Sequence, residues 1–353
     1  MMGRPVVISI LLCLFVVLSL APAWAGENNS LELTLEDAVN RALIHSKSLE
    51  ISELEVDKSE EAMDDASYAL ARFSPTWETD YVPGVEPLFV AREQSKYGYE
   101  VAKKKLAATK DSVILAVHQA YYNVLKKEAQ VSLAQITLKR DELKLKNALV
   151  SYDYGIISKQ ALMGAQAAVT SSKASLEAAQ LELENAYKGL NVIIGLPEDS
   201  RPKLINNITF TPFSGDLNVQ VSLAMDENPS VVAAVENARL TKELEGWDED
   251  ISTEDIKMAE LKASMARDQI KEALRTLYTN VKNMEESYPA AQEAVRLAQE
   301  DLRVTQLKFE AGMATKSEIL EAERNLLDAQ QKLLQLTLDH AYYKLSLEKP
   351  WAL

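Results

Sequence analysis

Few side chains in this sequence are spaced for covalent or metal chemistry. The three histidines, His45, His118 and His340, stand in separate stretches, without the short ligand spacings of a metal site. No G-x-S-x-G, P-loop or dinucleotide fingerprint occurs. The single cysteine, Cys13, lies in an apolar N-terminal run, so thiol chemistry has no second partner. The residues thus describe a protein that is not an enzyme and needs no cofactor or metal. What remains is carboxylates in register. Glu286, Glu293 and Glu300 recur at steps of seven and form a line along one side of a helix. Such a line is either a solvated face or the negative lining of a water-filled lumen. Glu318 and Glu321 are three apart and share a helix face.

The elements that carry these residues occur twice. Tyr121 to about Leu183 lies on Tyr278 to about His340 at a constant offset of 157 residues without a gap. Tyr121-Tyr122-Asn123-Val124 falls on Tyr278-Thr279-Asn280-Val281. Tyr154-Gly155-Ile156 falls on Ala311-Gly312-Met313. In both copies a long helical pattern runs into a lone glycine and resumes as a second helix. Glycine suits the left-handed cap at which one helix stops and another starts within a few residues. The repeated unit is a helical hairpin.

The fold class expected is all-α, with two tandem helical-hairpin repeats built on very long helices. A capping-box-like start at Thr34-Leu35-Glu36-Asp37 opens a helical run to about Arg72. Pro75, Pro83, Gly84 and Pro87 interrupt it and leave room for at most one short extended piece, Thr76 to Val82. Helical stretches then cover about 89–151, 159–192, 221–246, 252–310 and a last helix to about Glu348. The first long one spans roughly 90 Å at ~1.5 Å per residue. The first repeat is 33–192, an irregular connector is 193–217, and the second repeat is 218–348. Pro289 removes one backbone hydrogen bond inside the second long helix and predicts a kink near Glu285. The second junction, Glu245 to Asp250, has no room for strands.

Heptads state what the helices pack against. Val117, Val124, Val131, Leu138 and Leu145 form one apolar line of the first long helix. Leu115, Tyr122, Ala129, Ile136, Leu143 and Val150 form another, nearly opposite. A helix with two apolar sides has a neighbour on each, as in the wall of a tube; a thick bundle is the alternative. In the second long helix, Leu274, Val281, Tyr288, Val295, Leu302 and Phe309 pair with Ile270, Leu277, Met284, Ala291 and Ala298 as an ordinary a/d seam.

At the N-terminus, Arg4, the apolar run Val6 to Leu20 and Ala23-Trp24-Ala25 have the form of a secretory signal, residues 1–25. An uncleaved anchor is the alternative. The chain carries 38 Lys and Arg against 53 Asp and Glu, a net charge of −15. This acidic balance argues against nucleic acid and anionic membrane surfaces as partners.

Taken together, the signal, the opening Leu33-Thr34-Leu35-Glu36-Asp37-Ala38-Val39, the Asn228-Pro229-Ser230 of the second half and the paired Gly155 and Gly312 turns resemble the TolC family of outer-membrane efflux proteins. The resemblance covers nearly all of Leu33 to Leu347. It implies a homotrimer whose long helices form a periplasmic tunnel and whose β-hairpins complete an outer-membrane barrel. It further implies a cell-envelope location and an efflux or secretion duct that works with a periplasmic adaptor (a membrane fusion protein) and an inner-membrane transporter. The turns at Tyr154, Gly155, Ile156 and Ala311, Gly312, Met313 match the hairpin tips where the adaptor docks. Glu318 and Glu321 match the acidic pair that narrows the entrance. The sequence departs from the family at the barrel, for which neither junction supplies strands of about 9–11 residues. An exported helical structural or interaction protein that no longer conducts is therefore the second reading.

Overall fold

The computed structural model describes residues 32–72, 84–205, 207–245, 247 and 251–352. The signal segment 1–25 and the extended piece expected at Thr76 to Val82 lie outside the described residues. Within them the helices follow the hydrophobic pattern: α1 (Leu35–His45), α2 (Lys47–Ala71), α3 (Glu86–Asp153), α4 (Lys159–Ile194), α5 (Leu217–Glu227), α6 (Pro229–Leu244), α7 (Thr253–Glu310) and α8 (Lys316–Glu348). α3 is 68 residues long and α7 is 58. α7 continues through Pro289 as one helix. A 3₁₀ turn at Pro350–Ala352 follows α8.

Caps set the boundaries. The Asp37 N–H donates to the Thr34 hydroxyl at 3.1 Å while the Asp37 carboxylate accepts from Thr34, the reciprocal box expected from the sequence. Ser252 with Asp255 starts α7 in the same way. The expected helical run to about Arg72 divides at Ser46, whose hydroxyl accepts the Leu49 N–H at 3.2 Å and caps α2. Asn228 divides α5 from α6 by accepting from the N–H groups of Ser230 and Val231. Both residue types compete for backbone donors and so favour caps over helix interiors.

One small sheet was not legible beforehand: β1 (Glu32–Leu33) pairs in parallel with β2 (Lys203–Leu204). Tyr121, in the middle of α3, locks it. The Tyr121 hydroxyl stands within hydrogen-bond distance of the carbonyls of Leu33 (2.8 Å) and Ile205 (2.9 Å), fastening both strands to the helix wall. The main core lies here, where Leu33, Ala42, Val117, Val124, Leu190 and Leu338 are buried together. A second cluster joins Leu274, Val281, Phe213 and Leu347. A third sits at the opposite end from the hairpin tips, where Phe89 stacks on Trp247 at 4.4 Å between Leu70 and Leu244.

The connector is held by a polar and aromatic clasp. Phe210 stacks on Tyr288 (3.7 Å) and meets the His340 ring at a tilt (4.4 Å). Glu285 accepts from the Phe213 N–H at 2.6 Å and pairs with Lys282 at 2.7 Å.

α3 is two-sided, as its heptads require. It packs on α4 along one flank and on α8 along the other, with α1, α2 and α6 also against it. Lys127 and Glu128 reach α4 through Glu182 (2.7 Å) and Tyr187 (2.6 Å). Lys126 and Arg140 reach α8 through Asp339 and Glu321. α7 packs on α8, α6 and α5, and Leu274 and Val281 of its expected seam are fully buried.

Two outcomes follow from these contacts. Tyr121→Phe strips a buried donor from two carbonyls and is expected to lower unfolding free energy by about 1–3 kcal/mol, read by urea denaturation. Burial, with Lys349 nearby, pushes His118 down to about 4, so the folded chain favours the neutral ring. As pH falls below the ordinary value near 6.5, the unfolded chain takes up this proton first. Stability should therefore decline between pH 6.5 and about 4, and His118→Gln should flatten that part of the denaturation profile.

Candidate functional site

The hairpin tips are built by the same backbone device twice. At the end of α3, Gly155 has φ of 70° and its N–H donates to the Tyr152 carbonyl at 2.8 Å, while the Ile156 N–H donates to Ser151 at 2.8 Å. At the end of α7, Gly312 has φ of 72°, its N–H donates to Phe309 at 2.9 Å, and the Met313 N–H donates to Lys308 at 2.7 Å. These paired bonds are the Schellman arrangement, which closes the last turn of a helix around one left-handed residue. A β-carbon at either glycine would meet open space, so conformation and not crowding selects glycine. α4 then starts at the Ser158 cap and α8 at the Thr315 cap. Tyr154, Ile156 and Met313 project from these turns, largely exposed. Each tip thus offers apolar side chains on a rigid corner.

Glu318 and Glu321 have different surroundings. Glu318 closes a capping box, accepting from the Thr315 N–H at 2.5 Å and its hydroxyl at 2.9 Å. Those donors hold its carboxyl below the usual range. Glu321 sits where α8 crosses α3 and pairs with Arg140 (3.2 Å), Lys144 (3.1 Å) and Arg324 (3.3 Å). Burial works to raise its carboxyl, but Lys144, Arg140 and Arg324 outweigh it and hold the group ionised. Arg140 also pairs with Asp141, which is buried. The pair therefore shares a helix face as expected, yet Glu318 fastens its own turn and Glu321 fastens one hairpin to the other. Both line a cleft of about 290 Å³ beside Asp301, Thr305, Lys308 and Met313.

The carboxylate line on α7 is exposed throughout. Glu293 binds Arg296 and Glu300 binds Arg303, each at 2.7 Å and three residues on. The arginines draw both carboxyls below their ordinary range. By the 157-residue offset, Glu286, Glu293 and Glu300 stand where α3 has Ala129, Ile136 and Leu143. The arginine partners were readable as an i,i+3 pattern; the Arg140–Glu321 bridge, between residues 181 apart, was not.

No group of three or more His, Cys, Asp or Glu residues is placed to hold a metal ion among the described residues. His118 stands 3.1 Å from the Tyr122 hydroxyl and His340 3.3 Å from Glu285, in separate contacts. No helix among the described residues is long and apolar enough to cross a membrane.

Two glycine-turned hairpins joined through one shared long helix make up the fold, and comparison with known proteins finds the same arrangement elsewhere. Residues 247–350 match the family of outer membrane efflux proteins. The fold is that of solved outer-membrane channels. The CmeC outer membrane channel of Campylobacter jejuni superposes with a TM-score of 0.65 at 15% identity, covering 90% of this chain and 85% of that one. The outer membrane protein VceC of Vibrio cholerae gives 0.63 at 16% identity, covering 90% and 96%. The MtrE outer membrane channel of Neisseria gonorrhoeae gives 0.62 at 16%, covering 90% and 88%. No curated protein matches the chain significantly in sequence. The resemblance to the TolC family thus holds across the fold and, in sequence, over the second hairpin; among the described residues the chain is helical, apart from the two-residue strands.

Because both tip glycines hold a positive φ, Gly155→Ala and Gly312→Ala should each destabilise the chain by about 1–2 kcal/mol. The loss would register as a lower urea midpoint with helical content unchanged.

Proposed function

We propose that this chain is one protomer of an extracytoplasmic α-helical duct for efflux or secretion. α3 carries the reading: its own hairpin partner and α8 of the second repeat both pack along it, which supports a wall over a thick bundle. The family match over α7 and α8 supports it. In this reading the chain is exported to the cell envelope, assembles as a homotrimer, and works with a periplasmic adaptor and an inner-membrane transporter. The exposed Tyr154, Ile156 and Met313 and the glycine turns beneath them form the adaptor-docking tips. Glu318 and Glu321 act at the entrance, where both stay ionised; Glu318 offers its charge there, while Glu321 shares its own with Arg140, Lys144 and Arg324. Glu286, Glu293 and Glu300 supply charge along a wetted face.

A second reading, an exported structural or interaction tube that does not conduct, is favoured by one observation. The only strands among the described residues are β1 and β2, two residues each, far short of a membrane-spanning strand.

Reconstitution of the chain lacking residues 1–25 into planar lipid bilayers separates the two. A duct gives discrete conductance steps, with lower cation preference in Glu318→Gln/Glu321→Gln, a change that preserves the α8 cap. An assembled protein that yields no steps would favour the structural tube. Steps with unchanged ion preference in the variant would remove the two glutamates from the entrance.

A further inference from the structure

α7 has a gap in its backbone ladder that α3 does not. Pro289 has no N–H, so the carbonyl of Glu285 loses the helical donor four residues on. By the 157-residue offset the matching pair on α3 is Ser132 and Glu128. There the N–H is kept, and the Ser132 hydroxyl also donates to the Glu128 carbonyl, at 3.0 Å. α7 nonetheless runs through the gap as one helix. Little packing holds it beyond that point: Val281 is its last buried residue, and none follows as far as Glu310.

The connector is fastened at this gap. The Phe210 ring lies on Tyr288, the residue just before the proline, at 3.7 Å. The Glu285 side chain accepts the Phe213 N–H at 2.6 Å. Lys282, one turn earlier, donates to the Phe213 carbonyl at 3.1 Å. From α8, Lys344 donates to the Thr211 carbonyl at 3.2 Å and to its hydroxyl at 2.8 Å. His340, 1% exposed, touches both halves of the clasp. Its ring meets Phe210 at 4.4 Å, and its Nε2 stands 3.3 Å from the same Glu285 oxygen that holds Phe213. Beside the stack, a groove of about 450 Å³ lined by Ile208, Phe210, Tyr288, Leu333 and Leu334 leaves space for Tyr288 to move.

We propose that the connector is an acid-released brace: seated on Lys282, Glu285 and Tyr288 it holds α7 as one rod across Pro289, and protonation of His340 unseats it, so that α7 and its Gly312 tip flex about the proline. The groups facing His340 are Glu285 and Lys282 from α7, Lys344 and Glu348 along α8, and His118 and Tyr122 of α3 across a cleft of about 200 Å³. Burial opposes an imidazolium there; with Lys344 and Lys282 it outweighs Glu285 and holds the ring below its ordinary value. Release of the connector opens the ring to water, where it titrates near about 6.5. Protons therefore bind the released form more tightly, and the brace weakens as pH falls below that value. A protonated ring also draws on the Glu285 oxygen that the Phe213 N–H needs.

Hydrogen exchange tests this on the chain lacking residues 1–25, in a His118→Gln background that removes the acid response of that ring. Protection factors for the amides of 286–292 should fall by up to about tenfold between about pH 7.5 and about pH 5.5, one unit below the free-ring value, while those around Ser132 hold. Phe210→Ala should lower them at both pH values, and His340→Gln should keep them high at both. An acid-insensitive parent, or Phe210→Ala with the parent's protection at neutral pH, would overturn the brace. Loss of protection in acid by His340→Gln to the same extent as the parent would overturn the acid release. The His340 ring, followed by NMR in the parent, should titrate with the same midpoint as the amide protection; separate midpoints reject the proposal even where His340→Gln fails to fold.

Discussion

Everything in this molecule hangs on a helix that must be covered on two sides. α3 has apolar lines on nearly opposite flanks, and no single partner helix can bury both. α4 covers one through the hairpin turn, which costs only a few residues of loop. α8 covers the other from the far end of the sequence, so the second repeat is required to complete the first. The β1–β2 pair and Tyr121 sit where these surfaces meet. Removing the two-sidedness would take away the α3–α8 seam and leave the repeats joined through contacts such as the Phe89–Trp247 cluster.

The long helices and their turns were legible in the sequence because each signal there is local. Heptad lines, a lone glycine after each long run and hydroxyl caps such as Thr34 and Ser252 act within one or two turns, and the helices begin and end close to those marks. The break at Ser46 was less legible, since a serine inside a helical pattern is tolerated and only its use as a cap decides the matter. Contacts between distant residues were not legible at all. Nothing in Glu32-Leu33 and Lys203-Leu204 announces a pairing across 171 residues. Glu321 shows the same limit at the site: its spacing from Glu318 places both on one face but does not reveal that Arg140 and Lys144 stand opposite.

The two repeats share a backbone plan and differ in charge. Where α3 has Ala129, Ile136 and Leu143, α7 has three glutamates, two of them held by arginines on the next turn. Where α8 has Glu321, α4 has a glycine. The glycine corners are the same in both repeats, and the charges differ on the flanks where the helices meet. The Lys126–Asp339 and Arg140–Glu321 pairs join the two repeats, and the positions equivalent to Lys126, Arg140 and Glu321 in the other repeat carry no charge.

The length of α3 has a mechanical consequence. At 68 residues the helix runs to roughly 100 Å at ~1.5 Å per residue. A rod of that reach is a lever: a pivot of about one degree at the Phe89–Trp247 end sweeps the Gly155 corner sideways by about 2 Å. Sub-ångström repacking among a few aromatic rings at one extremity is therefore geometrically sufficient to displace the hairpin tip at the other, with no hinge anywhere between.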